Sequence, residues 1–247
     1  MSDQPSQAAV AYNNPDFDVR VPPDLTRLGD TLPARVGAPA PEFEAQLLDG
    51  GTFRLSDARG KRHVVLMMGA ISSPMTAIQL PAMNELWREF GPKGVDFYLV
   101  YVKESHPAET YSHHSSMEQK VSYARELQRL EKPAFPMLVD SLDGHIHRNY
   151  GQWPVSLFVV HKDGRLVFRS TIAQPVQLRS YLAELMEWED LMRAHPDHVS
   201  HTGYTEFVVE HEVNEAEHYR VYKRAGQKAF DDYWRVYPNQ RDVWPKP

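Results

Sequence analysis

The chain has 247 residues and not one is cysteine. That absence excludes disulfides, thiolate metal sites and thiol catalysis in the sequence as it stands. No apolar run approaches the ~20 residues that a membrane span requires. There is no basic run either. With 27 Lys and Arg against 33 Asp and Glu, the formal charge is -6, which argues against nucleic acid as the main partner. The opening Met1-Ser-Asp-Gln-Pro-Ser shows no charged stretch followed by an apolar one. No secretory signal is therefore expected, and a cytoplasmic protein is the default.

What is present centres on His63-Val-Val-Leu-Met-Met-Gly-Ala-Ile-Ser-Ser-Pro-Met-Thr76. Val64 to Met68 is an uninterrupted apolar run, the pattern of a strand buried on both faces of a sheet. Gly69 to Ser72 reads as a sharp turn. Pro74 then suits the first position of a helix, with Ser73 as its N-cap. Ile78, Met83, Leu86, Trp87 and Phe90 continue at close to helical spacing.

Around that unit the chain reads in three parts. Residues 1–36 are rich in Pro, Asp, Asn and Gln and read as a tail, docked if at all through Val19, Val21 and Leu25. Residues 37–194 carry the main domain. Asp49-Gly-Gly separates two short strands as a hairpin, and Val95 to Val102 is a second buried strand. Ser115 with Glu118 reads as a capping box for a helix bearing Met117, Val121, Ala124 and Leu127. Met137-Leu-Val is a short strand and Asp143-Gly-His-Ile-His turns into a short helix. Ser156 to Val160 and Leu166 to Phe168 flank the turn dipeptide Asp163-Gly164, and an amphipathic helix spans Pro175 to Met192. Strands alternating with helical crossovers imply an α/β sheet with helices on its faces. Residues 195–247 form a C-terminal extension: Tyr204 to Tyr222 is open to a helix or, at 205–209, a strand, and Phe230, Tyr233, Trp234 and Tyr237 recur at helical spacing. It is too thin to bury a core of its own and is expected to pack on the main domain.

Three stretches carry a family resemblance: Gly69-Ala-Ile-Ser-Ser-Pro-Met-Thr, Tyr101-Val-Lys-Glu-Ser-His-Pro-Ala-Glu, and the strand after Trp153-Pro154. Together, over roughly residues 37–190, they resemble the iodothyronine-deiodinase-like redoxins, a family that includes bacterial proteins of unassigned substrate. The resemblance implies a thioredoxin-like sheet flanked by helices. It places Ser73 where the family has selenocysteine or cysteine, and Pro74 at the proline after it. Glu104 and His106 match an acidic residue and a histidine thought to relay protons, and Pro154 a cis-proline facing the reactive residue. The peroxiredoxin pattern Pro-x-x-x-Thr-x-x-Cys does not fit, since its positions fall on Leu66, Ala70 and Ser73.

Ser73 therefore has several readings. A serine hydroxyl does not ionise near neutral pH and has no redox couple. It could be a helix cap, a substrate-binding hydroxyl, a nucleophile activated by His106, or a replacement for a native cysteine or selenocysteine. The expectation is a redox-inactive, small-molecule-binding or repurposed redoxin with catalytic-position residues Ser73, Glu104 and His106 and substrate-facing Pro74 and Pro154. No cofactor is required, no nucleic acid or membrane partner is expected, and a homodimer is allowed for. The alternative is a Ser/His-dependent or metal-dependent enzyme. On a helix, His211, Glu215 and His218 would share one face, and two imidazoles with a carboxylate can hold Zn or Fe. The competing reading of that face is packing, because it also carries Tyr204, Phe207, Val208 and Tyr222.

Overall fold

The computed structural model describes residues 5–17, 33–151, 155–197, 203–207, 214–238 and 241. Its centre is β3 (His63–Gly69), buried along its whole length. Alternation along this strand feeds two cores. Val65 and Met67 face one apolar cluster, and Val64, Leu66 and Met68 face the other. A strand apolar on both faces must be covered on both, which explains the unbroken run in the sequence.

β3 lies between β4 (Val95–Tyr101), to which it is parallel, and β6 (Leu157–Val160), to which it is antiparallel. The apolar runs read at 64–68, 95–102 and 156–160 are thus neighbours in the sheet. Outward from β4 come β5 (Met137–Val139), β1 (Glu44–Leu47) and β2 (Thr52–Arg54), and outward from β6 come β7 (Leu166–Ser170) and β8 (Thr205–Phe207). The resulting order is β2-β1-β5-β4-β3-β6-β7-β8. Parallel neighbours on one side of β3 and an antiparallel pair on the other form the expected thioredoxin-like arrangement. Gly50 and Gly51 take φ of +106° and +89° in the first hairpin, a backbone that side chains with a Cβ rarely adopt.

Of the helices, α1 (Gln7–Tyr12) lies in the stretch read as a tail and α2 (Pro74–Phe90) follows β3. Next come α3 (Met117–Glu131), α4 (His145–Tyr150) and α5 (Pro175–Ala194), then α6 (Glu215–Ala225) and α7 (Gln227–Val236). The α3 cap is one residue later than the sequence suggested. Ser116 Oγ accepts from Gln119 N, while Gln119 Oε1 accepts from Ser115 N and Oγ. Two overlapping Ser-x-x-Glu/Gln patterns were available, and the second is the one used.

Described stretches near both ends of the chain pack on the main body. Val221, Tyr222, Ala225, Ala229, Phe230 and Tyr233 belong to the same apolar cluster as α2. At the N-terminal end, the tail expectation is corrected for residues 5–17. Tyr12 is buried, its hydroxyl pairs with His147 Nδ1 at 2.7 Å, and it accepts from Lys103 N at 3.2 Å. Val19, Val21 and Leu25, the expected anchors, lie outside the described residues.

Candidate functional site

Ser73 sits at the N-cap position of α2, with Pro74 at the first helical residue, and both are buried. Its hydroxyl makes no capping hydrogen bond; the turn is closed instead by Thr76 N donating to Ser73 O at 3.2 Å. Ser73 thus occupies the cap position without using its side chain as a cap. Nearby, Thr76 Oγ1 accepts from Ala70 N at 3.2 Å, so the threonine in the first turn of the helix holds the strand-to-helix turn.

The polar group that does the structural work at this turn is the neighbouring Ser72, which is fully buried. Ser72 Oγ donates to Glu104 Oε2 at 2.6 Å and Ser72 N donates to the same oxygen at 3.1 Å. The same Oγ accepts from Ser105 N and His106 N, both at 3.1 Å. One hydroxyl therefore uses its donor and both lone pairs to lock the loop after β4 onto the turn after β3. The other carboxylate oxygen, Glu104 Oε1, accepts from the Tyr101 hydroxyl and pairs with His114 Nε2 at 3.1 Å.

The side chains of Glu104 and His114 are 1 % and 0 % exposed, so this is a dry ionic network. Burial pushes the Glu104 carboxyl up, but the hydrogen bonds from His114, Ser72 and Tyr101 outweigh it and hold it below the usual carboxylate range. Burial pushes the His114 imidazole down, against the pull of Glu104. Both directions agree with an ionised Glu104 accepting from a neutral His114 protonated on Nε2. His114 Nδ1, which is then bare, has no hydrogen-bond partner among the described residues. Burial and the Glu104 charge push Tyr101 well up, keeping its hydroxyl a donor.

His106 is buried, and its ring packs among residues from both ends of the chain. Its Nε2 pairs with the Tyr222 hydroxyl at 3.1 Å. Phe17 packs on the ring with centroids 4.2 Å apart, and Tyr222 and Tyr233 lie at 4.7 and 6.4 Å. An N-terminal residue and two C-terminal helices thus enclose this histidine. No hydrogen bond joins Ser73 to His106. Among the described residues the two side chains are not directly hydrogen-bonded as a Ser/His nucleophile pair would be. The linkage between the two segments runs through Ser72 and the His106 backbone instead.

The C-terminal helices also clamp the turn. Arg224 donates to Ile71 O at 2.8 Å and to Glu131 Oε1 at 2.7 Å, and Arg220 holds Glu131 with two bonds of 3.0 and 2.9 Å. Thr110 N donates to Ala225 O, and Lys228 N donates to Glu109. Sequence reasoning singled out Glu104 and His106 but not Ser72, Tyr101, His114 or Tyr222, which contact them. Ser72 stood next to the residue chosen, and Tyr101 lay three residues before Glu104. Nothing local pointed to His114 or Tyr222.

The remaining expected residues fare differently. Pro154, with its expected cis bond, lies outside the described residues, as does His211. Glu215 is exposed in the first turn of α6. His218 is wholly buried, its Nδ1 bonded to Asn214 O at 2.8 Å and its ring against Tyr222 and Tyr233. One residue faces water and the other the core, so the two do not present a common ligand face. The packing reading of that stretch holds for His218.

The fold and the turn at Ser73 define a thioredoxin-fold redoxin. The chain belongs to the AhpC/TSA family, whose model matches residues 36–169, more than half of its length. Among individual proteins it is similar to thyroxine 5-deiodinase of Gallus gallus, 33% identical over 141 residues that make up 53% of this chain and 54% of that one. The Homo sapiens thyroxine 5-deiodinase is 29% identical over 147 residues, 55% of this chain and 47% of that one. The chain thus spans about half the length of these curated relatives. A solution structure from Bacteroides thetaiotaomicron, described as a candidate protein disulfide isomerase, matches with a TM-score of 0.50 at 18% identity, covering 67% of this chain and 96% of that one. That likeness supports the fold.

Proposed function

We propose that this redoxin has no thiol or selenol turnover and that the turn at the N-terminus of α2 serves binding of a small molecule. One observation carries the reading: Ser73 stands at the strand-to-helix turn in a chain with no cysteine, while its hydroxyl is not consumed by capping. A hydroxyl left over at a helix N-terminus, where backbone N–H groups and the helix dipole favour anionic or strongly accepting groups, suits recognition of a polar ligand. The ionised Glu104, fixed by Ser72, shapes the floor of that turn rather than titrating.

The test is paired. The chain as given should show no thiol-dependent peroxidase, disulfide-reductase or deiodinase activity above buffer. Ser73→Cys should acquire a thiol with a pKa below the free value of about 8.5, read from the pH dependence of alkylation, because it would stand at a helix N-terminus. Turnover by the unaltered chain would sink the redox-silent reading. Alkylation of the variant as slow as that of a buried, apolar thiol would show that the turn no longer supports an anion.

A further inference from the structure

A second group of side chains lies at the other end of β3. His63 opens the strand, and β3 pairs with β6 in the register Val64 with Val160. The next step of that antiparallel ladder sets His63 opposite His161, and their rings stand 4.7 Å apart between centroids. From above, α5 brings down Glu189, whose Oε1 lies 3.6 Å from His63 Nε2 and 3.3 Å from His161 Nε2. One ligand atom from each residue falls within 4.8 Å of the other two. Residues 126 positions apart at the extremes are thus converged by sheet register and one helix crossing.

These separations have a chemical meaning. Zinc bonds nitrogen and carboxylate oxygen at about 2.0–2.1 Å, so the ligand-to-ligand edge of its tetrahedron is about 3.3–3.4 Å. The two imidazole-to-carboxylate distances lie close to that edge before any ion is present. The surrounding contacts orient the ligands as outer-shell partners do. Asp163 Oδ1 lies 3.0 Å from His161 Nδ1, leaving Nε2 to face the cluster. Lys162 Nζ holds Glu189 Oε2, leaving Oε1 to face both rings.

We propose that His63, His161 and Glu189 bind a divalent transition ion of the zinc class, with a fourth position open to water or an added ligand. Two imidazoles and one carboxylate suit borderline ions and not Mg2+ or Ca2+, which prefer all-oxygen sets. One feature of the turn must yield on loading. Lys162 N and Asp163 N donate to His63 Nδ1 and His161 Nδ1 at 3.2 Å each. Metal at Nε2 moves each ring proton to Nδ1, so these two backbone contacts must open. The site lies at the opposite end of β3 from the turn at Ser73.

The experiment uses the full chain after treatment with a chelator. Titration calorimetry with Zn2+ should give one ion per chain, and Co2+ should give the intense visible bands of tetrahedral coordination. His161→Ala and Glu189→Gln should each weaken Zn2+ at least tenfold and abolish the rise in Tm that Zn2+ gives the parent. Glu189→Gln preserves side-chain shape, and its own metal-free melt establishes that it is folded. Mg2+ should not compete, and His211→Ala should leave binding unchanged. The inference is overturned by absence of saturable binding near one equivalent, or by equal affinity in both cluster variants. Loss confined to His211→Ala would also overturn it and would place the ion in the C-terminal segment.

Discussion

Replacing Glu104 by glutamine changes one atom and should cost much of the stability margin. The carboxylate receives four donors: Ser72 N, Ser72 Oγ, Tyr101 Oη and His114 Nε2. An amide retains only one oxygen and turns an NH2 toward the other pair of donors. If that NH2 meets Ser72, the hydroxyl cannot turn, because it already accepts from Ser105 N and His106 N. If it meets Tyr101 and His114, the imidazole can accept by moving its proton to Nδ1, at the expense of a buried donor there that has no acceptor among the described residues. Bonds to a charged group contribute roughly 1.5–3 kcal/mol each and a buried unpaired donor costs roughly 1–3 kcal/mol, so the net loss is about 2–4 kcal/mol. For a chain of this size that is a fall in Tm of about 5–15 °C. Differential scanning calorimetry of Glu104→Gln measures it, with Glu104→Ala expected to fall further. The pH profile gives an independent check. A carboxylate whose folded pKa lies below its unfolded value stabilises above the unfolded value, and that stability is lost as pH falls through the folded one. Glu104→Gln should therefore flatten the acid limb. A drop in Tm below about 2 °C with an unchanged acid limb would refute the network as a stabilising unit.

Other perturbations test the surroundings. Lys120 is fully buried, donates to Ser141 O at 2.9 Å and sits over the Tyr12 ring, and burial pushes its pKa down to about 8. The unfolded chain then binds more protons between pH 8 and 10.5, so stability should rise across that window by up to roughly 3 kcal/mol, and Lys120→Met should abolish the rise in urea titrations. Gly69→Ala would put a Cβ 2.8 Å from Leu99 Cδ1 and 3.0 Å from Thr76 Cγ2. That overpacking should cost about 1–3 kcal/mol, read as a lower denaturation midpoint at unchanged slope.

What could be read in the sequence was what depends on short range and on period. β3 showed as an unbroken apolar run, and α2 showed through Pro74 and the spacing from Ile78 to Phe90. The first and second hairpins showed through Asp49-Gly50-Gly51 and Asp163-Gly164. What was missed depends on register and on crossings. Lys120 sits on an α3 face beside Ala124 and Leu127, and its burial follows from partners contributed by Ser141 and Tyr12. His63, His161 and Glu189 have no sequence spacing in common. β8 exists because Thr205–Phe207 pairs in parallel with β7, a non-local choice between helix and strand that periodicity left open. At the turn, Ser73 was read as the residue at the N-cap position of α2, and it stands there. The hydroxyl that organises it belongs to Ser72, and adjacent residues on a turn point in different directions.

The role of Glu104 follows from its hydrogen bonds. The family resemblance casts this residue and His106 as a proton relay. A carboxylate accepting from four donors, with its pKa held down, gives up its charge with difficulty and is a poor general acid near neutral pH. His106 pairs with Tyr222 and is packed by Phe17, and among the described residues no hydrogen bond joins it to Ser73. Glu104 is better described as an anchor that fixes the turn through Ser72. Its charge also bears on any sulfur placed at position 73. A thiolate there would be stabilised by the N-terminus of α2, and the fixed negative charge held by the neighbouring Ser72 would oppose that stabilisation. The two influences have opposite signs, and Glu104→Gln in the Ser73→Cys background separates them. Removal of the charge should lower the thiol pKa further if the helix end and the carboxylate compete across this turn. It should leave the pKa unmoved if the hydroxyl of Ser72 screens one from the other.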